Sequence, residues 1–157
     1  MADPKLDTAA AHRHFAVSCF NEAWAVIDAP DRSAEDDLRM LALAHASLHH
    51  WMQRPDATDR NRSIGCWQIS RVHAILDEAA PALRWGKAAL GYAREAGAFY
   101  VGYAHEAIAR AAACAEDADL AREHLARARA ALGAIGYADD RAPLARDLDA
   151  IQRTLSA

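Results

Sequence analysis

Cysteine is scarce in this chain and unpaired in pattern. Cys19, Cys66 and Cys114 are odd in number, far apart, and form no C-x-x-C spacing. That argues against a disulfide framework and against a zinc knuckle. Lysine is nearly missing, with only Lys5 and Lys87, so almost all positive charge is arginine, a bias that fits a GC-rich coding sequence. The formal net charge is −4 and the pI about 6.0, which argues against a nucleic-acid binder, since that class usually carries a basic stripe. No apolar run approaches the roughly 18 residues needed to span a bilayer, and MADPKLDTAAAHRH lacks an apolar signal core. The expectation is a cytoplasmic protein with reduced thiols and no membrane partner. There is no glycine-rich phosphate loop. Ser18, Ser47 and Ser70 lack a G-x-S-x-G setting. Cys66 and His73 can share a helix face, but an inert buried thiol is the better reading of Cys66. No cofactor is indicated.

What the chain has is alanine. Hydrophobic residues make up 53% of its 157 positions, yet about a quarter of the chain is alanine and only 7% is aromatic. Alanine has the best helix propensity, and small side chains let helix backbones approach. The expectation is one all-α domain over residues 1–157, with residues 1–6 disordered. Asp7 or Thr8 caps a first helix to about Asp28, with Phe15, Cys19, Phe20, Ala23, Trp24 and Ile27 as its apolar stripe. Ser33 and Asp36 make a capping-box start for a second helix to about Gln53. Its apolar side carries Leu38, Leu41, Ala42, Leu48 and Trp51. After a polar loop from Pro55 to Ser63, further helices are expected over 61–78, about 81–95, 100–115 and about 119–133. A last helix over 139–156, with Leu144, Leu148, Ile151 and Leu155 on one face and Arg/Asp on the other, serves as a polar-backed cap.

Part of the chain occurs twice. Trp67–Gly97 returns as Glu106–Gly136 at an offset of 39 residues, inside the range of stacked helical hairpins. Ile69 falls on Ile108, Arg71 on Arg110, Ala74 on Ala113, Ala82 on Ala121, Ala89 on Ala128 and Gly97 on Gly136. The small packing residues and terminal glycines recur, and so does one arginine.

This pattern resembles the tetratricopeptide-repeat (TPR) family over about residues 63–136. The family's small-residue positions match Ser70, Ala82, Gly86 and Ala89 in one unit and Ala109, Ala121, Leu125 and Ala128 in the next. The family's helix-A aromatic and Gly-Tyr positions instead fall on Cys66, Ser70 and His73, then on His105, Ala109 and Ala112. The period is also longer, with the extra residues around Ala98–Val101. The WQISRV stretch from Trp67 looks like segments of bacterial helical proteins. The TPR resemblance implies about seven helices in antiparallel hairpins, stacked as a short right-handed superhelix, and a non-catalytic binding scaffold. The concave groove it implies is lined by Ile64, Trp67, Arg71, Ala74 and Ile75, and by Tyr103, Glu106, Arg110, Ala113 and Cys114.

Trp67 and Arg71 share one helical face, as do Tyr103, Glu106 and Arg110. If the two helices pack in parallel at about 10 Å, both arginines enter one groove, where two guanidiniums beside Trp and Tyr suit a peptide or a small anionic ligand. The competing reading is structural: Glu106 neutralises both arginines. A second functional reading rests on histidine. His45 and His49 are one turn apart, with His50 adjacent, and His105 or Glu106 is a candidate third ligand, which would make a metal-binding or catalytic helical protein; the alternative is that these rings are solvated or packed between helices. A third reading is a homodimer joined through exposed Trp or Leu faces. Trp24, Trp51, Trp67 and Trp85 are expected mainly as core anchors.

Overall fold

The computed structural model of the chain describes residues 7–156; the expected disorder of residues 1–6 lies outside them. Seven α-helices and no strand occur among the described residues: α1 (Thr8–Ile27), α2 (Ala34–Met52), α3 (Asp59–Ile75), α4 (Ala79–Ala93), α5 (Ala98–Cys114), α6 (Ala118–Gly133) and α7 (Ala138–Thr154). The chain is all-α. Among the described residues no helix is long and apolar enough to cross a membrane.

Local side-chain chemistry sets most helix starts. Asp7 accepts from Ala10 N–H at 3.0 Å. Ser33 and Asp36 close the expected capping box. Thr58 and Asn61 form another, with Thr58 N–H donating to Asn61 at 3.0 Å, so α3 begins two residues ahead of the sequence expectation. Asp117 accepts from Leu120 N–H at 3.0 Å and starts α6.

Helix ends repeat more faithfully than side chains do. α3 stops at Ile75 rather than Glu78 because Asp77 takes φ 59°. Thirty-nine residues on, Glu116 takes φ 57° and stops α5. The hydrogen bonds that close the two helices correspond. Asp77 N–H donates to Ala74 O at 3.2 Å, and Glu116 N–H to Ala113 O at 3.1 Å. Glu78 N–H reaches His73 O, and Asp117 N–H reaches Ala112 O, both at 2.9 Å. This is a Schellman-type close, with a charged residue in glycine's usual place. The paired glycines do not correspond in this way. Gly97, at φ 114° and ψ 165°, precedes α5, whereas Gly136 has no positive φ.

Consecutive helices pair as hairpins α1–α2, α3–α4 and α5–α6, with α2 against α3 and α4 against α5. α5 is central: it packs against α3, α4, α6 and α7, and Gly102 to Ile108 are all buried. Small residues bring the helices close. Ala82, Ala89, Ala121 and Ala128 are fully buried. Ser47 donates to Ala16 O and Ser70 to Ala82 O, both at 2.7 Å. A Cβ on Gly86 would stand 3.2 Å from the Ile108 backbone nitrogen, so the α4 backbone approaches that of α5 directly.

Two expected apolar stripes are corrected. Phe15 is 45% exposed, and α1 buries the expected Ala23 and Ile27 together with Ala16 and Val26. Leu38 is 71% exposed, while α2 buries Met40, Ala44, Ser47 and Leu48. In both helices the buried face mixes small residues with a few larger ones: Ala16 and Ala23 with Val26 and Ile27 on α1, and Ala44 and Ser47 with Met40 and Leu48 on α2.

A left-handed residue with a Cβ costs about 1–2 kcal/mol, partly offset in a glycine variant by the greater freedom of its unfolded chain. Glu116→Gly is therefore expected to stabilise the fold by about 0.5–1 kcal/mol, and Asp77→Gly by less, since Asp tolerates this region better. Urea melts check this: the midpoint should rise at constant slope, and a lower midpoint for Glu116→Gly would contradict it.

Candidate functional site

α3, α5 and α7 bring four charged side chains together. Glu106, on α5, is 0% exposed. Trp67 Nε1 on α3 donates to Glu106 Oε2 at 2.8 Å, and Arg110 Nε, one turn along α5, donates to Oε1 at 2.7 Å. Arg110 Nη2 lies 2.5 Å from the same oxygen, an ion-pair contact rather than a directed hydrogen bond. Arg71 stands 3.9 Å from Glu106 and gives both terminal nitrogens to Asp147 on α7, at 3.1 and 3.2 Å. Asp147 also lies 3.5 Å from Arg110. Two guanidiniums and two carboxylates make a neutral quartet. Burial opposes the charge on Arg110, but Glu106 more than compensates and raises its pKa above the ordinary value. Burial, joined by Asp147 and Glu106, pushes the Tyr103 hydroxyl up to about 12.

The five residues expected to share a groove, Trp67, Arg71, Tyr103, Glu106 and Arg110, do come together. The Trp67 and Tyr103 rings meet edge to face at 5.0 Å, and Arg71 sits 5.8 Å from the Trp67 ring centre and 5.3 Å from that of Trp24. Glu106 is not the only counter-charge: the carboxylate bound to Arg71 is Asp147. The sequence reading assigned the aspartates of the last helix to its polar face. The missed signal is spacing, since Asp147 is three residues after Leu144 and four before Ile151, inside the apolar stripe.

The quartet divides the lining into two parts. On one side Ala74, Ile75, Arg110, Ala113 and Cys114 border a cavity of about 480 Å³ with α7. On the other, a cavity of about 340 Å³ is walled by Phe20, Trp24, Ile64, Trp67, Phe99, Tyr100 and Tyr103. It shares Phe20, Ile64 and Tyr100 with a cavity of about 190 Å³ that adds Val17, Trp51, Arg60, Asn61 and Gly65. Seven of the chain's eleven aromatic residues (three Phe, four Trp, four Tyr) line these two joined cavities. Sequence reasoning placed Phe20 and Trp24 in a core stripe, gave Phe99 and Tyr100 no role and put Arg60 in a loop. The three-and-four spacing on α1 does mark an apolar face; that face borders the cavity.

The histidines go elsewhere. His45 packs edge to face on Trp85 and His73, at 5.3 and 6.1 Å between ring centres. His49 lies against His50. His50 pairs with His12, Nδ1 to Nδ1 at 2.8 Å, and His105 pairs with His124 at 2.9 Å. Among the described residues no group of three or more His, Cys, Asp and Glu side chains is placed to hold a metal ion. Cys66 is buried, and burial raises its thiol pKa to about 12, which keeps it un-ionised.

Each histidine pair needs one donor and one acceptor nitrogen, so two imidazoliums cannot coexist there. Burial, then His124, depresses His105 to about 4; burial also lowers His124 and His50. The folded state thus binds fewer protons than the unfolded chain between about pH 4 and 6.5. The stabilisation is complete above the unfolded value and is lost as pH falls through that window. His105 alone accounts for up to about 3 kcal/mol. In urea melts at pH 7 and pH 4.5, a His105→Leu, His124→Leu variant should lose clearly less stability on acidification than the parent; parallel losses would reject the assignment. At the quartet, Glu106→Gln leaves two guanidiniums facing one carboxylate, and a cost of about 2–3 kcal/mol is expected, below the full buried-pair figure because both arginines still reach water. A change under about 0.5 kcal/mol, within the range of an ordinary surface substitution, would make the quartet incidental. Compared with protein-family models, with characterised proteins and with solved structures, the chain matches none.

Proposed function

We propose that this chain is a non-catalytic interaction module, with TPR-like stacking, that binds a peptide or small anionic ligand in the groove between α1, α3 and α5. The observation that carries this reading is the concentration of aromatic side chains. In a chain with only 7% aromatics, seven line one pair of joined cavities. A binding site is concave, lined mainly by apolar and aromatic side chains, with a few polar groups at its edge. The anionic preference assigned to Arg71 and Arg110 is weaker than their sequence positions imply, because Glu106 and Asp147 already neutralise them. Their role is to hold Trp67 and Tyr103 at the groove floor. The proposed setting is cytoplasmic, on the strength of three free thiols.

The test is a peptide display library, with a panel of small organic carboxylates read by thermal shift, applied to the full chain. A Phe99→Ala, Tyr100→Ala variant is the counter-screen. Binders that lose at least about tenfold in affinity on the variant, or about 1.4 kcal/mol, support the proposal. A screen without binders, or binders indifferent to the variant, rejects it.

A further inference from the structure

The joined cavities have a polar end that the groove reading does not use. Arg60, in the first turn of α3, borders the smaller cavity, and its guanidinium lies 5.6 Å from the ring centre of Tyr100. Arg71 and Arg110 differ from it, each being held by a carboxylate. Arg60 has no ion-pair partner within 4 Å among the described residues. Asn61 lies beside it on the same wall. From Tyr100, which lines both cavities, the wall continues away from Arg60 through rings set at an angle to one another: Phe99 to Tyr100 at 75°, Phe99 to Tyr103 at 58° and Trp67 to Tyr103 at 72°. Such walls enclose a narrow apolar body from several sides.

We infer that the joined cavities take a small amphipathic carboxylate, with its apolar chain or ring among Trp24, Trp67, Phe99 and Tyr103 and its carboxylate on the Arg60 guanidinium. This rests on the groove reading and narrows it to one ligand class. Three features select that class. The larger cavity, about 340 Å³, falls in the range of small-molecule sites, roughly 300–1,000 Å³. A cationic head is disfavoured, since Arg60 and Arg71 already occupy ring faces at this site and repel a third cation. A carboxylate matches the guanidinium's planar fork of donors and can be held through two hydrogen bonds.

The experiment compares octanoate, octanol and octylammonium as probes of the full chain at pH 7.5, by calorimetry and by the fluorescence of the groove tryptophans. Octanoate should bind about tenfold more tightly than octanol, with octylammonium weakest. In Arg60→Met, which keeps an unbranched apolar stem and removes the guanidinium, the octanoate advantage should fall to within about twofold while octanol is unaffected. Arg122→Met, a surface substitution far along the chain on α6, should leave the advantage intact and so separates a local contact from net charge. Equal binding of octanoate and octanol, or a preference that survives Arg60→Met, overturns the inference and leaves the groove reading standing. If no probe binds, the inference falls; if binders from the library screen also ignore the Phe99→Ala, Tyr100→Ala variant, the groove reading falls with it.

Discussion

The buried Glu106 carboxylate is the constraint on which the arrangement of this molecule depends. A carboxylate with no access to water is costly unless charge and hydrogen bonds compensate it. Compensation here comes from an indole on α3, a guanidinium one turn along α5, and a second guanidinium on α3 that is itself held by α7. Each donor fixes the helix that carries it. Trp67 cannot rotate without abandoning Glu106, so its ring stays edge-on to Tyr103, and those two rings form the cavity floor. An ion pair need not add stability over apolar packing. What this one supplies is direction: it permits one register of α3 against α5 and one placement of α7.

Alanine makes that register physically reachable. Ala82 and Ala89 on α4 and Ala121 and Ala128 on α6 are fully buried, and Ser63 and Ser70 bond to α4 carbonyls, so the hairpins are tight; α3 and α5 then pack side by side, with side chains of both on the Glu106 carboxylate. Seven of the rings gather where α1, α3 and α5 meet: Trp67 and Tyr103 are buried in the core, and the half-buried Phe20, Trp24, Trp51, Phe99 and Tyr100 complete the cavity wall.

The fold was largely legible in the sequence because its determinants are local. Ser33 with Asp36, Asp7 and Asp117 act within a single turn of chain. The repeat was legible for a related reason: a 39-residue offset reproduces not only alanines but the two left-handed turns at Asp77 and Glu116. The site was half legible. The repeated register brought Trp67, Arg71, Tyr103, Glu106 and Arg110 to one place. Asp147 was hidden because its partner Arg71 lies 76 residues away, on a helix that no local pattern ties to α7. Phe20, Trp24, Phe99 and Tyr100 were hidden because hydrophobic spacing distinguishes the apolar side of a helix from its polar side, but not core from cavity wall. Leu38 and Phe15 show the same ambiguity with the opposite outcome: both are apolar, at helical spacing, and exposed.

The Arg71–Asp147 pair joins helices with a full hairpin between them in the chain. In an array whose units touch only their neighbours, ends fray independently and unfolding proceeds as a sum of nearest-neighbour terms. A link from α3 to α7 that bypasses this order couples the last helix to the middle of the array. Loss of α7 then removes a counter-charge from α3 as well as apolar cover from α5. The five helices from α3 to α7 are therefore wired to open as one cooperative block, and α1 is tied to that block through Trp24, whose ring lies under the Arg71 guanidinium, and through Phe20 O, which accepts from Gln68 Nε2.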